Sequence, residues 1–310
     1  MKFIERNIQS DLACEARELY PSVKGVTQEQ EELGEITITR IAITTPEASK
    51  KLGKDQGNYI TLEAPSLLLR PLDLFKNMTL AVKEELKKLI GNISEDAVVL
   101  VTGLGNREIT PDSLGPSVTD KLLVTRHIMQ YMPEAVEHKL RSLCAISPGV
   151  LGVTGIETVE IIRGAVSHVK PDILIAVDSL AARRSERIST TVQISDTGIS
   201  PGSGVGNTRS GISSNELGCR VIAIGVPLVV YAATVVQDVI EMMADETGLH
   251  NDEKKLQDLA EKVITENMGP MIMTPKDIDV MVNDMSGIVA DAINMTVHDA
   301  HYDEVRALIS

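Results

Sequence analysis

The sequence predicts an α/β/α sandwich around a mostly parallel sheet, with an additional small N-terminal β element. Three observations carry this. The runs AVVLVTG (97–103), ILIAVD (173–178) and VIAIGV (221–226) are short, continuous and rich in Val and Ile, as parallel strands covered on both faces must be. Segments of helical period lie around and between them, at 116–131, 154–169 and 228–244, and strand–helix alternation of this kind builds a layered α/β sheet. Nearer the N-terminus, EITITRIAI (35–43) and YITLEAP (59–65) alternate apolar and polar residues instead, the pattern of half-buried antiparallel or edge strands.

Taken in order, the first 20 residues are polar and mixed and give no clear element. The two alternating strands come next, and DLFKNMTLAVKEELKKLI (73–90) brings apolar residues back every three or four positions, which predicts a helix. After the three Val/Ile-rich strands are placed, RISTTVQIS (187–195) supplies a further strand. TPKDIDVMVNDMSGIVADAINMTVH (274–298) reads as a long helix, with Thr274 as its N-cap and Pro275 at the first helical position. No repeat of solenoid type and no low-complexity linker divides the chain.

Composition narrows the function classes. Of 310 residues, 43% are hydrophobic and 24% charged, the balance of a globular protein. No run approaches the roughly 18–20 apolar residues that span a bilayer, and the acid-bearing N-terminus has no apolar core of a secretory signal, so a cytoplasmic protein without a membrane partner is expected. The net charge of −14 and the supply of two Phe, five Tyr and no Trp argue against direct nucleic acid binding, which needs clustered cations and stacking rings. Cys14, Cys144 and Cys219 are widely spaced and form no C-x-x-C. Neither a disulfide framework nor a zinc knuckle is expected, and buried, inert thiols are.

The tripeptide DSL occurs twice, in ITPDSLGP and in LIAVDSLAARR, each time beyond an apolar run. Asp178 is expected to end its strand and Asp112 to sit in the loop after another. A lone Asp there is commonly a helix N-cap. As a pair at the carboxyl ends of the strands, where ligands collect in open α/β sheets, the two have sharper chemistry. Two close carboxylates cannot both ionise easily, so one keeps a proton while the other can draw one from water. The glycines of VTGLGNRE lack the third member of a dinucleotide fingerprint, and SPGSGVGNTRSG, with Gly202 and Gly204, suits either a phosphate cradle or a loop that lets a substrate backbone approach. Arg183, Arg184 and Arg187 follow Asp178 closely. They pair with neighbouring acids on one reading and recognise acidic side chains on the other. No H-E-x-x-H occurs, a structural role is preferred for His127, and His298 and His301 read as a solvated pair.

These blocks carry a resemblance. LVTGLGNREITPDSLGPSVTDKLLVTRH, SPGVLGVTGIETVEII, PDILIAVDSLAARRSERISTTVQISDTGISPGSGVGN and VIAIGVP, with SDLACEA near the start and MIMTPKDIDVMVNDM near the end, closely resemble the germination protease family of spore-forming bacteria. The resemblance spans almost the whole chain. It implies an endopeptidase of the spore cytoplasm that begins the degradation of small acid-soluble spore proteins, works without a cofactor as an atypical aspartic protease, and assembles as a homotetramer. The two essential aspartates of the family fall on Asp112 and Asp178. The fold implied is that of hydrogenase-maturation proteases, which use a metal. Family members are made as zymogens, and the family's site pattern of hydroxyl residue, acid, aliphatic, Ala, small residue and Glu falls on Ser10 to Glu15. This implies a propeptide of residues 1–11, cut between Asp11 and Leu12, and a protease domain of residues 12–310. Acids flanking that bond need cationic partners, which makes Arg183, Arg184 and Arg187 specificity candidates. A metal-dependent hydrolase using Asp112, Asp178 and His127, and a non-catalytic binder of acidic peptides, are the alternatives. Longer family members carry an extra segment where this chain has DEKKLQDLAEKVI (252–264).

Overall fold

The computed structural model describes residues 10–132, 134, 136, 140–199, 211–232, 234–236, 239, 242–243 and 271–309. Gly202, Gly204 and the segment 252–264 lie outside the described residues. So do residues 1–9 of the expected propeptide.

Among the described residues one nine-stranded sheet organises the chain. Its strands are β1 (Val26–Leu33), β2 (Ile36–Ile43), β3 (Gly57–Glu63), β4 (Val98–Gly103), β5 (Ser142–Ile146), β6 (Ile173–Ala182), β7 (Thr191–Ser195), β8 (Arg220–Tyr231) and β9 (Ile272–Met273). The spatial order is β1-β2-β3-β7-β8-β6-β4-β5, with β9 on β8. The pairs β5–β4, β4–β6 and β6–β8 are parallel, and the others are antiparallel. The expectation of a mostly parallel sheet with a separate N-terminal β element is therefore corrected. The sheet is mixed, and the N-terminal strands are its antiparallel half, joined through β7.

Helices cover both faces. In chain order these are α1 (Ala13–Leu19), α2 (Pro46–Leu52), α3 (Leu72–Ile90), α4 (Leu114–Thr119), α5 (Thr158–Val169) and α6 (Ile278–His298). On one face α3, α4 and α6 bury Met78, Leu86, Leu114, Val289 and Ile293 against Ile60, Val101, Ile175, Ile194 and Ile224. Strand side chains alternate between faces, so the neighbours of those residues point the other way. That second face carries two separate clusters. One lies under α5, with Ile162 and Val166 on Leu100 and Leu174. The other lies under α1 and α2, with Leu12, Ala16 and Ala48 on Ile41, Tyr59, Leu180 and Val230. The gap between these clusters opens above the middle of the sheet.

Several boundaries differ from the sequence reading. β8 runs on to Tyr231, where a helix was expected from 228, because Pro227 to Val230 keep pairing with β6 across an irregularity at Leu180/Ala181. The segment 116–131 is two short helices, α4 and Arg126–Tyr131. Helix α6 begins at Ile278, and Thr274 does not cap it: its hydroxyl donates to the Leu228 carbonyl at 2.9 Å. The first 20 residues are not uniformly polar surface, since Leu12 to Ala16 are buried. No helix among the described residues is long and apolar enough to cross a membrane.

Candidate active site

The gap between the two clusters is a cavity of about 600 Å³. Asp11, Lys54, Asp112, Asp178 and Gln193 line it, with Tyr59 and Tyr231. The topology explains the meeting. Parallel strands β4 and β6 carry their following residues to the same end of the sheet, so the loop after Gly103 arrives beside Asp178.

Asp178 does not end its strand. β6 continues to Ala182, and Asp178 pairs with Gly225 of β8, where a Cβ would overlap the Leu180 side chain. Asp112 closes a single 3-10 turn, Thr110–Asp112, with Pro111 fixing its backbone. Close backbone contact sets this turn in place. A Cβ on Gly103 would overlap the Gly115 carbonyl, one on Gly115 would overlap Leu104, and one on Gly105, which has φ +108°, would overlap the Asp112 carbonyl. The glycines of VTGLGNRE thus serve packing between two chain segments.

Neither aspartate caps a helix. Asp112 Oδ2 accepts the Asn106 N–H at 2.8 Å, and Asp178 Oδ1 accepts the Ser179 N–H at 2.9 Å. Burial raises the Asp112 carboxyl above the ordinary range, and the Asn106 N–H opposes it. Asp178 is pushed well above that range, first by burial, then by the charge of Asp112, with Asp11 adding to it and the Ser179 N–H opposing. Asp178 therefore senses the charge of Asp112, and both carboxyls stand above the ordinary range.

The segment Ser10–Glu15 runs along one side of the cavity, which Asp11 lines. β4 pairing ends at Val177, and beyond it Asp11 attaches to β6. The Asp11 N–H donates to the Ala181 carbonyl at 2.9 Å, and the Ala181 N–H donates to Asp11 Oδ2 at 2.8 Å. Lys54 Nζ donates to the Ser10 carbonyl at 2.9 Å, and the Leu12 N–H donates to Ser10 Oγ at 3.0 Å. Gly53, left-handed at φ +64°, ends α2 and delivers Lys54 to this side. Burial lowers the Lys54 ammonium, against the pull of Asp11 and Glu15. The Leu12 side chain is fully buried in the cluster under α1 and α2. Ala13 N–H donates to Gln193 Oε1 at 2.7 Å, and Gln193 Nε2 donates to the Asp11 carbonyl at 3.1 Å.

Glu15 is also fully buried. Its carboxylate accepts the Arg183 N–H at 2.7 Å and the Arg184 N–H at 3.0 Å, Ser10 Oγ bonds to Oε2, and Arg187 Nη1 lies 3.0 Å from Oε1. The arginine run is therefore used differently from the sequence reading. Arg187 meets the acid with its guanidinium, whereas Arg183 and Arg184 present backbone N–H groups. The Arg184 side chain turns to Glu18 and Glu186.

Other candidates lie elsewhere. His127 is exposed and outside the cavity. His298 is buried, with Nε2 at 2.8 Å from the Leu123 carbonyl, which corrects the solvated pair expected with His301. Among the described residues no three His, Cys, Asp or Glu side chains form a group that could hold a metal ion. Sequence reasoning did not single out Gln193, Lys54 or the backbone of Ala181. The only prior signal for Gln193 was an amide within an otherwise apolar and hydroxyl strand.

A family model described as Germination protease matches residues 4–261. The chain is 45% identical over 305 residues to the Germination protease of Caldanaerobacter subterraneus subsp. tengcongensis, covering 94% of each chain. It is 40% identical over 314 residues to that of Clostridium acetobutylicum, covering 95% of this chain and 96% of the relative. Against that of Bacillus subtilis it is 36% identical over 345 residues, with 94% of each covered.

Proposed function

The chain belongs to the germination protease family, a family of peptidases, and we propose from that membership that it is an atypical aspartic endopeptidase, made as a self-cleaving precursor, whose acid pair is Asp112 and Asp178. The observation that carries this reading is the convergence of both carboxyls and Asp11 on one cavity. Their environments differ in the way acid–base chemistry requires. The more strongly raised Asp178 holds the proton, and Asp112 is the base.

In this mechanism Asp112 takes a proton from water as the water oxygen bonds to the Asp11 carbonyl carbon. The Asp178 proton passes to the carbonyl oxygen, giving a gem-diol. As the diol collapses, the C–N bond breaks and the proton on Asp112 goes to the Leu12 nitrogen. A hydroxyl proton of the diol returns to Asp178. One water is consumed, and a carboxylic acid and an amine are formed.

Residues 1–11 are then a propeptide. The segment Ser10–Glu15 is seated as a substrate would be, which gives each recognition element a task. Ala181 reads the acid before the bond, the cluster under α1 and α2 reads the aliphatic residue after it, and Arg187 with the N–H groups of 183 and 184 reads the distal Glu. Small acid-soluble spore proteins, cut at sites of this pattern during germination, are the substrates this reading names. Mass spectrometry of the full-length chain after incubation, with a strong chelator present, tests it. A new N-terminus at Leu12 is expected. A different bond, or processing that needs added metal, overturns it.

A further inference from the structure

We infer that Gln193 is a catalytic residue: its carboxamide straddles the Asp11–Leu12 bond, donating to the carbonyl that water attacks and accepting the second N–H beyond it. The inference rests on the reading that Asp11–Leu12 is the bond cut.

The position is built by strand geometry. Along β7, Val192 and Ile194 enter the core under α3 and α6, so Gln193 and Ser195 face the cavity. Gln193 is buried, with 8% of its surface exposed. Both ends of its side chain are used on the same chain segment. Nε2 donates to the Asp11 carbonyl at 3.1 Å, and Oε1 accepts the Ala13 N–H at 2.7 Å. One partner can only accept and the other can only donate, which fixes the orientation of the amide.

The carboxamide therefore presents one donor and one acceptor across Leu12, whose backbone is extended at φ −84° and ψ 129°, just before α1 begins at Ala13. It reads main chain, not side chain. A buried polar pair left empty is unfavourable, so the site suits a peptide whose backbone is extended at the residue after the bond. The donor lies within the distance at which oxyanion stabilisers act. As the carbonyl carbon becomes tetrahedral, charge grows on the oxygen that Gln193 already holds, and the contact strengthens in the transition state. Arg187 selects sequence at a distance; Gln193 fixes which peptide bond sits before the acid pair.

The test uses the full-length chain, its processed form, and a synthetic peptide copying residues 6–19. In Gln193→Glu the shape and the acceptor remain but the donor is lost; in Gln193→Leu both are lost. For Gln193→Glu, kcat on the peptide should fall on the order of 10²-fold, the loss found on removing one oxyanion donor, with KM nearly unchanged. Thermal melting of the variants reports whether they fold. A peptide N-methylated at Ala13 needs no variant: the wild-type enzyme should cleave it about tenfold more slowly, the effect of one lost hydrogen bond, whereas Gln193→Leu should treat both peptides alike. An unchanged kcat in Gln193→Glu, or equal slowing of wild type and Gln193→Leu by N-methylation, overturns the inference while leaving the acid pair untouched. Cleavage by the wild type at a bond other than Asp11–Leu12 removes the underlying reading and the role of Gln193 with it.

Discussion

Arg187 closes over Glu15: Nη1 lies 3.0 Å from Oε1, with 6% of the arginine and none of the glutamate exposed. The guanidinium is shared, since Nη2 meets Glu18 Oε1 at 2.7 Å and Nε meets Glu63 Oε1 at 2.7 Å. Arg187 thereby holds α1 to the sheet, and on the proposed reading it also recognises the residue that marks the cleavage segment.

Glu15→Gln separates these roles. The fold keeps a side chain of the same size, but an NH₂ now faces one of the N–H donors of residues 183 and 184. Self-processing should slow about ten- to a hundredfold, the 1.5–3 kcal/mol of a hydrogen bond to a charged group. Arg187→Leu leaves Glu15 and Glu63 without their cation, with only Arg184 left to Glu18, and should destabilise the chain by about 3–5 kcal/mol as well. Gel-based processing rates and urea melts measure both. A Glu15→Gln chain that processes at the wild-type rate would remove this acid from recognition.

Asp112→Asn and Asp178→Asn should each lower processing by about 10²–10⁴-fold, the contribution of general acid–base groups. Asp178→Asn has a second consequence, in stability. A carboxyl raised in the fold favours the folded state below the ordinary carboxylate range, where it is neutral in both states at no penalty, and loses that standing as pH rises through its raised value. Asparagine escapes that loss. In an Asp112→Asn background neither protein processes, and burial, the larger cause of the shift, remains. There Asp178→Asn should raise the Tm at pH 8, by about 2–4 °C per kcal/mol relieved, and leave it unchanged near pH 3. A Tm gain that is independent of pH would show that the carboxyl is not displaced by burial.

How much of this was legible in the sequence depends on the range of the interaction. Helix α3 and the parallel strands β4, β6 and β8 were readable because their apolar spacing is local, whereas the fourth parallel strand, β5, was not picked out. Asp112 and Asp178 stood out by position at strand exits, and the family resemblance named them. β1 was not readable: VTQEQEEL is exposed along nearly its whole length and is a strand only because it pairs with β2. The register of Asp11 on Ala181 and the burial of Glu15 join residues some 170 apart in the chain, and no local pattern encodes them. Asp178 reads as the end of a strand because apolar residues stop there. The pairing with β8 does not stop.

Gly115→Ala tests how the Asp112 turn is held. The new methyl would meet the backbone of Leu104, which cannot rotate away. Overpacking of this kind costs about 1–3 kcal/mol, and relief requires the turn to shift, so processing should fall further than stability alone explains. Gly164→Ala, a helical position with open space around it, is the control: it should leave processing unchanged and stabilise the chain by about 0.5–1 kcal/mol. Equal behaviour of the two variants would mean that the glycine contact does not position Asp112.

Cys14 offers a probe of what happens after the cut. Its thiol is buried, with 5% of its surface exposed. Burial pushes it up to about 12, which the Arg187 charge only partly offsets. At pH 8 almost no thiolate is present, and alkylation of the precursor should miss Cys14. Cys144 and Cys219 are raised as well but are partly open to solvent, so they should label first. Gln193, Ala181 and the N–H groups of residues 183 and 184 cannot hold two chains at once. An enzyme that cuts other proteins must therefore release the Leu12–Glu15 stretch from the groove once the bond is broken, which carries Cys14 into solvent. Peptide mapping after iodoacetamide treatment should show Cys14 protected in an Asp112→Asn precursor and labelled in the processed enzyme. Persistent protection in a preparation that cleaves peptides in trans would show that substrates bind somewhere other than where this segment lies.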